Sequence, residues 1–203
     1  MANARLTIPL LLSLLASLAV GAGGSLAGCG GGSSSSTTGG DGGGGGAGGG
    51  ACGPSADGCF DYSCFEADTP VVTFKADVLP ILRTSCGLSS SCHNNENGPG
   101  GQHYLGPKLS DPAPTAEQIA KIFEQSIGKT PVLNAGMSLI TPKDPEHSFF
   151  MYKLDGLECS KLACAENASC GGLMPQGVSK TSLMDPAKRD ILRRWIAQGA
   201  KND

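Results

Sequence analysis

The sequence has no run of basic residues, no internal repeat and no segment that alternates as a half-buried strand would. Its 15 Lys and Arg residues face 18 Asp and Glu residues, and the formal net charge is −3. Without a basic patch, nucleic acids and anionic lipid headgroups are poor partners. No set of residues suggests a catalytic base or a substrate pocket. These absences predict an all-α protein that is not an enzyme and does not bind nucleic acid.

An apolar run near the N-terminus, IPLLLSLLASLAV, covers 13 residues and is too short to span a bilayer comfortably. It follows Arg5 and precedes small residues, an order typical of a secretory signal over residues 1–28. The end of this segment, LAGC, resembles a bacterial lipobox, which implies cleavage before Cys29 and lipidation of that residue. The alternative is an ordinary cleaved signal. With the lipobox we expect an exported protein whose acyl chains hold it to a membrane facing the periplasm or the cell surface. Gly30 favours the outer membrane.

The composition divides the rest of the chain into three parts. Residues 29–51 form a linker, because residues 30–50 contain only Gly, Ser, Thr, Ala and Asp, with 13 glycines. Residues 52–69 are rich in cysteine. Residues 70–203 have the size of one small domain.

Six of the nine cysteines fall in two sets, Cys52, Cys59 and Cys64 before the domain, and Cys159, Cys164 and Cys170 late in it. In an exported protein such cysteines are expected to form disulfides within or between the sets, with a connectivity that the sequence does not specify. The segment from Cys164 to Cys170 is short enough to close on itself. Zinc is the weaker alternative, because no histidine lies within either set.

Four segments show helical patterns: FKADVLPILRTSC, TAEQIAKIFEQSIGK, DPEHSFFMYKLDG and DPAKRDILRRWIAQGA. Thr115 and Gln118 predict a capping box at the start of the second helix. Asp144 and Asp185 each precede a proline, which predicts an N-cap followed by proline at the first helical position of the third and fourth helices. The class expected is all-α with long loops.

The stretch SCGLSSSCHNN follows the first helical pattern and contains Cys86, Cys92 and His93. Two cysteines followed directly by histidine are typical of c-type haem attachment, although such sites usually have two residues between the cysteines rather than five. The same two cysteines could instead form a disulfide, which needs only that their Cα atoms come within about 7 Å. Both interpretations remain open from the residues alone.

Taken in order, FKADVLPILRTSC, the Cys-His pair, PEHSFFMYKLDG, GGLMPQG and LRRWIAQGAKND resemble the cytochrome-c-like domains of bacterial exported proteins. The resemblance extends from Thr73 to Ala200. It implies a cytochrome-c-like fold with one haem c, attached through Cys86 and Cys92 and bound by His93 and Met174. It also implies a carrier of single electrons between redox protein partners, with a final helix that packs Trp195 against the first helix, at Phe74, Val78 or Leu82.

A thioether sulfur suits haem iron, and Pro175 restricts Met174 to an extended backbone. We therefore expect His93 and Met174 to face each other across one apolar cavity. The alternative is that Met174 only fills the core. His103 and His147 are expected at the surface, and either could replace Met174 as a ligand.

Two other functions stay open from the sequence. One is a haem-free, disulfide-stapled binding or interaction module of the same fold. The other is a haem peroxidase or a cytochrome subunit of a larger dehydrogenase, for which the chain shows no additional catalytic domain.

Overall fold

The computed structural model describes residues 52–98, 102–132, 136–156, 159, 164, 170–179 and 181–203. Its helical elements are a 3-10 helix Tyr62–Cys64, a π-helical turn Phe74–Val78, and the α-helices α1 Leu79–Ser85, α2 Ala116–Ser126, α3 Phe149–Asp155 and α4 Pro186–Ala197. Within these ranges there are isolated β-bridges but no named strand, so the described part is all-α as expected. The predicted signal peptide, the predicted lipidation site Cys29 and the predicted linker 29–51 lie outside the described residues.

The starts of α2 and α4 confirm the local signals in the sequence. The Thr115 hydroxyl accepts a hydrogen bond from the Gln118 amide at 3.3 Å, and the Gln118 side chain accepts one from the Thr115 amide at 3.1 Å. Asp185 accepts from the Ala187 amide at 2.8 Å, with Pro186 at the first helical position. Each cap bond joins residues that are close together in the sequence. The sequence alone therefore predicts where these two helices begin.

The predicted start of α3 is wrong. The helix begins at Phe149 rather than after Asp144, and Asp144 instead accepts a hydrogen bond from the His147 amide at 3.0 Å. The amides of Phe149 and Phe150 donate to the carbonyls of Ser138 and Leu139, at 3.0 and 2.9 Å. Because these amides bond to another segment of the chain, the tertiary structure sets the helix start and overrides the local cap.

The aromatic core joins the two ends of the domain. Trp195 is 3% exposed, and its ring centroid lies 5.6 Å from that of Phe74 and 6.0 Å from that of Phe123. The indole nitrogen donates to the Lys201 carbonyl at 2.9 Å, so the one polar atom of this side chain is satisfied. The predicted contact between Trp195 and Phe74 is confirmed, and Phe123 of α2 adds a second aromatic partner.

Three disulfides join described cysteines: Cys52–Cys64, Cys59–Cys159 and Cys164–Cys170. They agree with the expectation of bridges within and between the two cysteine sets. The Cys59–Cys159 bridge ties the cysteine-rich segment to the domain across a sequence separation of 100 residues. Among the helices that the structure describes, none has the length and apolar character needed to cross a membrane.

Candidate functional site

A cavity of about 490 Å³ lies beside the end of α1, α3 and the loop around Met174. Small-molecule sites typically have volumes of about 300 to 1,000 Å³. Much of the wall is apolar, and five of its side chains are Leu105, Leu139, Phe149, Phe150 and Leu154. The cavity therefore has the size and surface of a site for a largely apolar ligand.

The structure brings all four predicted site residues to this cavity. Cys86, Cys92 and His93 line it from the segment after α1, and Met174 lines it from the late loop. Met174 is half-buried and also packs against the core, so its side chain contributes both to the cavity wall and to the core. His93 and Met174 therefore line the same cavity, as expected, and whether their side chains face each other across it stays a prediction.

The segment between Cys86 and His93 folds so that its ends meet. The Cys86 amide continues the helical pattern by donating to the Leu82 carbonyl at 2.8 Å, and the Cys92 amide donates to the Ser89 carbonyl at 2.9 Å. The His93 amide then donates to the Cys86 carbonyl at 3.1 Å. The five intervening residues therefore loop out, and the backbone of His93 returns next to that of Cys86.

A backbone carbonyl orients the imidazole of His93. Its Nδ1 lies 2.7 Å from the carbonyl oxygen of His103, and since a carbonyl only accepts, Nδ1 carries the proton. Burial lowers the pKa of His93, and the nearby charge of Lys153 acts in the same direction. The ring is accordingly neutral near pH 7, and its Nε2 keeps the lone pair that a metal ligand needs.

The thiols do not form the disulfide that the sequence left open. Cys86 is a free, buried thiol, and burial raises its pKa to about 12. Cys92 is therefore not bonded to Cys86. The alternative of a Cys86–Cys92 bridge is therefore wrong for this structure.

Helix α3 holds the Met174 loop at two points. The Met174 amide donates to the Lys153 carbonyl at 2.8 Å, and the Lys153 ammonium donates to the Cys170 carbonyl at 2.7 Å. Cys170 is also bonded to Cys164. These contacts fix the backbone of the loop on both sides of its glycines, which positions Met174 at the cavity.

Lys153 was not predicted as part of a site, and His103 was predicted only as an alternative ligand to Met174. His103 was expected at the surface, but it is half-buried and lines the cavity, and its Nε2 is buried without a hydrogen-bond partner. Lys153 lines the same cavity from α3. A lysine inside the apolar run FFMYKL was the available signal for Lys153, whereas nothing in the glycine-rich sequence around His103 indicated its burial. His147 is exposed and pairs with Asp144 at 2.9 Å, as expected for a surface residue.

Among the described residues, no three His, Cys, Asp or Glu side chains converge as a group that could hold a metal ion by itself. No protein-family model, no curated protein and no solved structure matches the chain.

Proposed function

We propose that the protein is an exported, lipid-anchored c-type cytochrome of cytochrome-c-like fold that carries single electrons through one haem c. The observation that carries the proposal is the convergence of Cys86, Cys92, His93 and Met174 on one apolar cavity of about 490 Å³. These residue types are the ones that attach and ligate a c-type haem, and they come from segments that are far apart in the sequence.

The donor set fits this cofactor. His93 offers a neutral imidazole whose Nδ1 is engaged by the His103 carbonyl at 2.7 Å, which leaves Nε2 as the ligating atom. Met174 offers a thioether sulfur from a loop held to α3 by its own amide, at 2.8 Å. A thioether ligand raises the potential of haem iron relative to a second imidazole. When bound, the haem supplies the one-electron redox chemistry.

Both cysteines would attach the haem in this proposal. Cys86 is a free thiol at the cavity wall and is available for a thioether bond. Cys92 also lines the cavity, and a thioether at this position requires its sulfur as a reduced thiol. The looped-out residues between them keep His93 beside Cys86 despite the widened spacing, which supports the same arrangement.

The remaining residues exclude water and hold the two ligands in place. The apolar side chains around the cavity keep a bound group away from solvent, which favours a defined potential. The expected partners are redox proteins, reached from a membrane anchor at Cys29 through the linker 29–51. The outer membrane, on its side facing the periplasm or the cell surface, is the location that the sequence favours.

Protein matured in a host periplasm tests the proposal through its pyridine haemochrome spectrum. We expect one haem per chain that stays attached after denaturation, and loss of iron ligation in His93→Ala. Met174→Ala should keep the haem but lower its reduction potential. Met137→Ala is the matched control, because Met137 packs against the core but does not line the cavity.

His103→Ala separates the two candidates for the distal ligand. If Met174 is the ligand, this change leaves the potential near that of the wild type. A rise in potential in His103→Ala, with no change in Met174→Ala, would assign the role to His103, because an imidazole ligand lowers the potential relative to a thioether. Absence of haem from the matured wild type would refute the cytochrome and leave the haem-free interaction module.

A further inference from the structure

Lys153 is the one charged side chain among the described residues that line the cavity. The other lining residues are apolar or uncharged, apart from the two histidines. Lys153 is 8% exposed, so its charge is directed at the protein interior and the cavity rather than at bulk water. The cavity therefore combines apolar walls with a single buried cation.

The contacts of this cation with the described residues include no opposite charge. Its ammonium donates to the Cys170 carbonyl at 2.7 Å and lies 5.5 Å from the centroid of the Phe149 ring. It forms no ion pair with a carboxylate of the described residues. An ammonium has three donors, and a buried charge without a counter-charge is costly.

We propose that Lys153 binds the carboxylate end of a planar, largely apolar ligand in this cavity. The inference rests on the proposed function, because haem is such a molecule, with two propionate groups at one edge of an apolar macrocycle. One propionate would pair with Lys153.

A structural role for Lys153 predicts a different result. Its backbone carbonyl accepts from the Met174 amide and its side chain holds the Cys170 carbonyl, so a substitution could simply displace the loop. Displacement of the loop would weaken the binding of every porphyrin equally. A carboxylate contact would weaken only the binding of porphyrins that carry free carboxylates.

The experiment uses the full chain produced without haem attachment, and two iron-free probes in the same mild detergent. Protoporphyrin IX has free carboxylates, and its dimethyl ester does not. A charge-assisted hydrogen bond contributes about 1.5 to 3 kcal/mol, or about tenfold to a hundredfold in affinity. In Lys153→Met we expect protoporphyrin IX to bind at least about tenfold more weakly, with binding of the ester changed by less than about twofold.

Lys153→Gln is the second variant, since glutamine can still donate to the Cys170 carbonyl while lacking the charge. Lys153→Gln should also bind protoporphyrin IX more weakly while binding the ester as before. Lys153→Arg should recover part of the affinity for protoporphyrin IX. Lys75→Met is the matched control, because Lys75 is exposed and does not line the cavity. Its affinities should equal those of the wild type.

Equal weakening of both probes, no change with either probe, or no porphyrin binding by the wild type would overturn the inference. The haemochrome spectrum of matured protein judges the proposed function separately. Haem in the matured protein without selectivity in Lys153→Met refutes only the role of Lys153. Selective binding of protoporphyrin IX with no haem in the matured protein refutes only the cytochrome.

Discussion

Replacing Arg193 with leucine should lower the free energy of unfolding by about 3 kcal/mol. Its side chain is 1% exposed and donates to both carboxylate oxygens of Asp155, at 2.6 and 2.7 Å, and to Asp190. Removing one partner of a buried ion pair costs about 3 to 5 kcal/mol. The lower end applies, because Arg189 still pairs with Asp155 at 2.6 Å.

The same guanidinium connects the domain to the cysteine-rich segment. It lies 3.4 Å from the centroid of the Phe60 ring and 5.3 Å from that of Phe65. A desolvated cation–π contact contributes about 2 kcal/mol. This contribution overlaps with the loss of the ion pair and is not added to it. Its loss should, however, make residues 52–69 more accessible to proteases in Arg193→Leu.

Arg194→Leu provides the control for Arg193→Leu. Arg194 is partly exposed, makes one hydrogen bond to the Glu66 carbonyl at 3.0 Å, and lies 5.2 Å from the Phe65 ring centroid. We expect a loss of no more than about 1 kcal/mol in this variant. The assay is equilibrium denaturation of haem-free protein with its disulfides intact, read by tryptophan fluorescence and circular dichroism.

Equal losses in the two variants would refute the reasoning, because only Arg193 has buried ion pairs. A gain in stability in Arg193→Leu would show that the cost of burying this cation exceeds the contribution of its partners.

Three further predictions concern the bridges and the loop after α1. Replacing Cys59 and Cys159 with serine should lower the free energy of unfolding by about 4 to 5 kcal/mol, since this bridge closes a long loop; a loss below about 1 kcal/mol in denaturant titration would contradict this. Haem-free protein at pH 8 should be alkylated at Cys86 about a thousandfold more slowly than when unfolded, because burial raises this pKa from 9.0 to about 12; peptide mapping with equal rates would disprove it. Gly87→Ala should lower the free energy of unfolding by about 1 to 3 kcal/mol, because the alanine Cβ would lie 2.6 Å from a backbone oxygen. The control is Gly172→Ala, whose Cβ would meet nothing within 4 Å, and thermal unfolding should show no such loss for it.

The sequence predicted those parts of the fold that depend on neighbouring residues. The capping box of Thr115 and Gln118 and the Asp185 cap are local bonds, and both helices begin there. The start of α3 was not predictable in this way, because the amides of Phe149 and Phe150 bond to residues about ten positions earlier. Such bonds depend on how the loops pack and leave no periodic pattern in the sequence.

The residues of the candidate site likewise differ in whether the sequence could predict them. His93 and Met174 were expected at one cavity because the sequence resembles cytochrome-c-like domains, and both line it. His103 and Lys153 reach the same cavity through the packing of a glycine-rich loop and of α3. The burial of a loop residue or of a helix lysine is set by tertiary contacts, so sequence patterns do not specify it.

The spacing of Cys86 and Cys92 argues against haem attachment only if spacing alone fixes the geometry of the motif. In the structure, the residue directly after the second cysteine is held by a bond of 3.1 Å between the His93 amide and the Cys86 carbonyl. The five intervening residues therefore change the shape of the loop without separating His93 from the end of α1. The widened spacing therefore changes how the two thiols lie relative to each other. It does not move the imidazole away from the end of α1. The proposal therefore makes separate demands on ligation and attachment: ligation needs the imidazole of His93 beside the end of α1, whereas attachment needs the sulfur of Cys92 as a thiol that can add to a haem vinyl group.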